Sequence, residues 1–173
     1  MVASKSVGLF LALGVLISTL TFANQEVMAK LDADVAGKLI ELGDAADTCS
    51  DKREAADISV SFEDVRGLNL SRNELLNALF YLSLRNGYAC SEPALKELVF
   101  AVALKERIHE AYGKPSANIL EALSKLAFPS ADYLEIELEY LKLAEPARRH
   151  LEGIFGTEPF DVNKVLKKLP EIQ

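Results

Sequence analysis

Residues 71–87, SRNELLNALFYLSLRNG, carry the clearest helix signals in the chain. Ser71 and Glu74 are three residues apart, which is the spacing of a capping box at the start of a helix. The stretch closes on Gly87, and glycine is the residue that most often terminates a helix. We therefore predict a helix that begins after Ser71 and stops at Gly87.

Two further helices are predicted on either side of this one. Upstream, apolar side chains at steps of three and four residues favour an amphipathic helix from about residue 25 to 49, with Cys49 on its inward face. Downstream, Ser91 is placed to cap a helix that ends at Gly113. Within it, residues 98–104 are all apolar, so we expect this helix to be the buried hub of the fold.

The rest of the chain contains similar helix start and stop signals. We predict caps at Ser116, Ser130 and Asp161, and a fresh helix at Pro146. Residues 50–69 are open to two interpretations, a short extended stretch or one helical turn that Gly67 stops. The sequence as a whole predicts an all-α fold: a single compact bundle of six to seven helices over residues 24–173.

Residues 1–23 have the three parts of a secretory signal: a basic start at Lys5, an apolar centre, and a small residue, Ala23, at the end. The apolar run is shorter than the roughly 20 residues that a membrane-spanning helix needs. We expect cleavage after Ala23, with Ala29 as the alternative site, a periplasmic or secreted protein, and no stable membrane insertion afterwards. An uncleaved membrane anchor is the other interpretation of this segment.

The chain contains two cysteines, Cys49 and Cys90. In an oxidising compartment, an even pair in a small domain is typical of a structural disulfide. A redox role is less favoured, because catalytic pairs usually have Cys-x-x-Cys spacing. Two separate free thiols are the remaining alternative. We predict one intramolecular disulfide.

The chain is acidic, with 26 Asp and Glu against 19 Lys and Arg. This balance argues against nucleic acid as a partner, since nucleic-acid binding needs a basic surface. Residues 24–64 hold 11 acids and 4 bases, so most of the net charge lies near the N-terminus. Asp44, Asp47 and Asp51 are candidates for an acidic surface that docks a basic partner.

Few residues suggest catalytic chemistry. No spacing typical of a zinc protease, a phosphate loop or a nucleophilic serine is present, and we expect no cofactor and no metal. Glu106, His109 and Glu110 can meet on one helix surface, although a solvated helix end is the simpler interpretation. Glu137 is a candidate buried acid, for which Arg107, Arg148 and Arg149 are possible partners.

Arg148 and Arg149 also stand near the start of a predicted helix, where the helix dipole disfavours cations. They are therefore candidates for contact with a partner or with an acidic neighbour. A solvated pair is the simpler interpretation of the same two residues.

These observations favour a non-enzymatic interaction protein outside the cytoplasm: an adaptor, an assembly factor, a chaperone-like binder, or an inhibitor or immunity protein. The first alternative is a small-molecule or lipid binder, with a cavity lined by residues such as Phe80, Phe100 and Tyr133. The second alternative is a hydrolase-type enzyme that uses Glu137, or Glu106 with His109.

Overall fold

The computed structural model describes residues 6–114, 119–121, 123 and 130–169, with side chains from residue 25 onward. Within these ranges there is no strand, and the prediction of an all-α, multi-helix fold is confirmed. Residues 119–121 and 123 are helical. The other helices in the described ranges are α1 (Ser6–Ala55), α2 (Phe62–Arg66), α3 (Arg72–Ala111), α4 (Ala131–Leu141), α5 (Glu145–Phe155) and α6 (Val162–Lys168).

Helices α1 and α3 form a long antiparallel pair. They contain 50 and 40 residues, which corresponds to about 75 and 60 Å of helix. The predicted disulfide is confirmed, with the Cα atoms of Cys49 and Cys90 6.0 Å apart. Farther along the pair, Lys105 Nζ lies 2.6 Å from Asp32 Oδ1. These two contacts set the register of the helices.

Helix α1 extends far beyond its predicted start. It runs without interruption across the expected cleavage site after Ala23. The backbone conformation does not bear on processing, so the export signal over residues 1–23 stays a prediction. Among the described residues, no helix combines the length and the apolarity that crossing a membrane requires.

The predicted break between two helices at Gly87 and Ser91 is wrong. Helix α3 continues through both residues and through Pro93 in its interior. Because proline has no N–H, Pro93 cannot donate the helical hydrogen bond to the carbonyl of Ala89. Ala89 and Pro93 are both exposed, so water can bind that carbonyl instead. Packing against α1 and the bond at Cys90 hold the backbone helical despite the local stop signals.

The prediction that residues 98–104 form the buried hub is also wrong. Leu98 and Val102 are buried, but Phe100 is 69% exposed. The main hydrophobic core instead lies where the first part of α3, including Leu79 and Leu82, meets the C-terminal helices. The apolar run is buried on only part of its circumference, because α1 covers one side of it.

The helix signals elsewhere are mostly confirmed. Ser61 and Asp64 form a capping box for α2, which ends at Gly67. Of the two interpretations of residues 50–69, the helical turn is therefore correct and the extended stretch is not. Ser71 and Glu74 form the predicted box for α3, and the hydrogen bonds from Ser71 hold the pKa of the Glu74 carboxyl below its usual value. Helix α3 ends next to Gly113, whose φ of 64° suits glycine.

The three C-terminal helices begin where the sequence predicts. Ser130 caps α4 and Asp161 caps α6. Helix α5 contains Pro146 in its first turn and ends at Gly156, which has a φ of 58°. The predicted cap at Ser116 lies outside the described residues.

Replacing Cys49 and Cys90 together by serine is expected to lower the free energy of unfolding by about 4 kcal/mol. The reason is that the unfolded chain gains the freedom of a loop whose ends are 41 positions apart. Urea unfolding of the double variant and of the wild type measures this difference. The wild type in reducing buffer should match the variant, and equal midpoints for oxidised and reduced protein would contradict the expectation.

Candidate functional site

Three tyrosines form an aromatic cluster between α3 and α4. The rings of Tyr81 and Tyr140 stack with their centroids 4.4 Å apart. Tyr133 lies 5.9 Å from Tyr81, and the Arg85 guanidinium lies 5.9 Å from the centroid of the Tyr81 ring. Tyr81 and Arg85 are four residues apart and therefore share one face of α3.

Asn86 is the one fully buried polar side chain among the described residues. Its amide nitrogen donates to the carbonyl oxygens of Gly156, at 3.1 Å, and Glu158, at 3.0 Å. Its Oδ1 atom accepts two hydrogen bonds from Arg85, both at 3.1 Å. The amide therefore satisfies the carbonyls that follow α5, where the chain turns and no helical donors remain.

Arg85 connects Asn86 to the aromatic cluster. Its guanidinium donates to Glu152 Oε1 at 3.0 Å and to the Gly156 carbonyl at 3.2 Å. The same Glu152 oxygen accepts the Tyr140 hydroxyl at 3.0 Å. One network thus joins α3, α4 and α5, and each charged group in it faces a group of complementary character.

Glu137 belongs to this cluster, but not through an arginine. Its Oε1 atom accepts the hydroxyl of Tyr81 at 3.0 Å. No ion pair joins it to Arg107, Arg148 or Arg149 in the described part of the chain, so those predicted partners are wrong. The half-buried Glu137 carboxylate thus has the Tyr81 phenol as its hydrogen-bond donor. The sequence around Glu137 does not reveal this partner, because Tyr81 lies on another helix.

Burial is the main reason that the pKa of the Tyr81 and Tyr140 phenols lies far above the usual value of 10.0. The hydrogen bonds to Glu137 and Glu152 act in the same direction, because a carboxylate stabilises the protonated phenol. Burial also raises the pKa of Tyr133. The Tyr81 and Tyr140 phenols therefore stay protonated at neutral pH and donate to these carboxylates rather than acting as bases.

Glu106, His109 and Glu110 lie near the end of α3, and the two glutamates contact other residues of the chain. Glu106 Oε1 accepts the backbone N–H of Leu120 at 3.0 Å, and Glu110 pairs with Arg107 at 3.3 Å. His109 is half-buried. In the described ranges, no three His, Cys, Asp or Glu side chains are placed to hold a metal ion.

Arg148 and Arg149 lie on α5. Arg149 pairs with Glu145 one turn earlier, which is the acidic neighbour that this end of the helix favours. Arg148 is half-buried, and its Nε atom has no hydrogen-bond partner in the described structure. The neighbouring His150 contacts the Asp64 carbonyl at 2.9 Å. Contact of these arginines with another protein stays a prediction.

Asp44, Asp47 and Asp51 are exposed on α1. Their spacing places them on one face of the helix, about opposite Cys49 and hence away from α3. Ile40, four residues before Asp44, continues the same line and is 66% exposed. None of the three carboxylates belongs to an ion pair within the described residues, and we call these three residues the acidic stripe.

The residues suggested for a ligand cavity do not come together. Phe80 and Phe100 are 42% and 69% exposed. Tyr133 alone among them lines a sizeable cleft, which opens between α1, α3 and α4. A single cavity lined by all three is therefore not supported by their positions.

Sequence reasoning missed Asn86 and Arg85 as organising residues. A signal was present, because Leu75, Leu79, Leu82 and Asn86 follow at steps of four, three and four residues. This spacing places Asn86 on the same buried face as the leucines. The partners of its amide are backbone carbonyls about 70 residues away, which no local pattern identifies.

Comparison of the chain with protein-family models, with curated proteins and with solved structures gave no significant match.

Replacing Asn86 by alanine is expected to lower the free energy of unfolding by roughly 2–4 kcal/mol. The Glu158 carbonyl loses its hydrogen bond from the buried amide, and the Gly156 carbonyl and the Arg85 guanidinium each keep only their other partners. Thermal or urea unfolding measures the effect. Asn77→Ala on the exposed side of the same helix serves as the control and should change stability by less than about 0.5 kcal/mol. Equal effects of the two substitutions would contradict the assigned role.

The raised pKa of Tyr81 and Tyr140 predicts a loss of stability at alkaline pH. Their folded-state pKa exceeds the unfolded value, so their contribution is complete below about pH 10 and decreases as the pH rises above it. Urea unfolding between pH 8 and pH 11.5 tests this. Tyr81→Phe should make the alkaline decline shallower, and a decline as steep as that of the wild type would refute the assignment.

Proposed function

We propose that this protein is a non-enzymatic interaction protein that works outside the cytoplasm, as an adaptor, an assembly factor, a chaperone-like binder, or an inhibitor or immunity protein. The observation that carries the proposal is the acidic stripe, whose three carboxylates have no ion-pair partner within the described residues. Lys38 and Lys52 of the same helix each pair with a glutamate, whereas Arg53, like the stripe, belongs to no ion pair within the described residues.

The disulfide between Cys49 and Cys90 indicates an oxidising compartment. Together with the predicted export signal, this favours a periplasmic or secreted protein. The bond also supports the stripe mechanically, because Cys49 anchors the segment of α1 that carries Asp47 and Asp51.

The chemistry of the stripe favours a basic partner. Carboxylates at positions 44, 47 and 51 are separated by about one helical turn each, or roughly 5 Å along the axis. A partner helix with lysine or arginine at similar spacing would match all three, and one apolar side chain would cover Ile40, which is 66% exposed. The excess of negative charge in residues 24–64 would also speed the encounter with such a partner.

Replacing Asp44, Asp47 and Asp51 together by asparagine is expected to weaken capture of the partner at least tenfold, because charge complementarity is removed without changing shape. Wild-type and variant protein serve as baits in cell-envelope extracts, with captured proteins quantified by mass spectrometry. The captured protein is then purified and its dissociation constant measured at low and high salt.

The matched control replaces Glu63, Glu110 and Glu135 by glutamine, which changes the net charge equally on other exposed surfaces. This control should capture the partner as the wild type does. The proposal fails if the stripe variant captures the same proteins as the wild type, or if both triple variants lose them equally.

A further inference from the structure

A cleft of about 540 Å³ opens between α1, α3 and the first turns of α4, directly beside the disulfide. Its volume lies in the range typical of small-molecule sites. Cys49 contributes to its lining, so the covalent bond between the two long helices shapes this site as well. The larger apolar residues of its walls are Leu84, Tyr88, Tyr133 and Ile136.

Two oppositely charged side chains line the cleft. Arg53 comes from α1 and Asp132 from the first turn of α4. Both side chains are exposed, and neither belongs to an ion pair within the described residues. The Arg53 guanidinium donates a hydrogen bond of 3.4 Å to the Ser50 hydroxyl.

This arrangement discriminates between ligand classes. A purely anionic ligand would be attracted by Arg53 and repelled by Asp132, and a purely cationic ligand would experience the reverse. A molecule that carries both charges satisfies both residues. The aromatic and aliphatic walls favour an apolar body, because they can remove it from water.

We propose that this cleft binds a small zwitterionic amphiphile. Its apolar body lies against Tyr88 and Tyr133, its anionic group pairs with Arg53, and its cationic group faces Asp132. This assignment is independent of the acidic stripe, whose residues do not line the cleft.

Isothermal titration calorimetry with two detergents tests the proposal on the purified protein. Dodecylphosphocholine carries the zwitterionic head and dodecyl maltoside an uncharged head on the same chain, and both are used below the concentrations at which they form micelles. Saturable binding of one dodecylphosphocholine per chain is expected, with affinity for the maltoside at least tenfold weaker. No saturable binding, or equal affinity for both detergents, overturns the proposal.

Charge variants separate the two rim residues. Arg53→Gln and Asp132→Asn should each weaken the zwitterion about tenfold, the cost of one charge-assisted contact, and leave the maltoside unaffected. Arg107→Gln, on the surface of α3, serves as the control and should bind as the wild type does. Unchanged affinity of both rim variants for dodecylphosphocholine overturns the assignment.

A filling variant locates the site. Ala46 lines the cleft from an exposed position on α1, so Ala46→Trp fills it without removing an existing interaction. Binding should be lost, whereas Ala36→Trp, exposed on the same helix, should preserve it. Leu84→Glu on the opposite wall provides a second test if the tryptophan lowers the melting temperature. Binding that survives both wall variants overturns the proposal.

Discussion

The covalent bond between Cys49 and Cys90 joins the two longest helices of the described chain, which contain 50 and 40 residues. An isolated helix pair gains little from contacts on one side only, and α1 buries few of its own side chains. The bond fixes α1 against α3 next to the main core, and ion pairs such as Lys105 with Asp32 continue the contact outward. The position of the acidic stripe and the shape of the cleft beside Cys49 both depend on this junction.

Beyond the junction, a polar network holds the shorter helices in place. Asn86 satisfies the carbonyls after α5, and Arg85 links it to Glu152 and so to Tyr140 on α4. Such a network specifies one arrangement of helices, because any other packing leaves a buried donor or acceptor unsatisfied. Residues that resembled candidate catalytic groups, above all Glu137, take part in this structural bonding. The two surfaces proposed for binding lie elsewhere, on the outer face of α1 and around the cleft.

Sequence patterns predicted most helix boundaries, but they missed the uninterrupted course of α3 through Gly87 and Ser91 and the early start of α1. Ser71, Ser130 and Asp161 cap helices because their side chains bond to backbone N–H groups two or three residues away, which is a local interaction. Gly87 failed as a stop signal, since glycine lowers helix stability by only about 1 kcal/mol and packing along α1 outweighs that amount. The buried hub was misplaced for a related reason: apolar composition at residues 98–104 does not reveal that only one side of the helix is covered.

The amino-acid sequence was sufficient to predict the all-α class, most of the caps and the acidic character of the N-terminal region, which arise from neighbouring residues, and it also predicted the pairing of the two cysteines from their number. The tertiary structure alone decided that Tyr81 rather than an arginine meets Glu137, that Asn86 serves carbonyls about 70 positions away, and that Arg53 and Asp132 border one cleft. The physical reason is the range of the interactions. Helix signals act within one or two turns, whereas these contacts join segments whose distance in space depends on how whole helices pack.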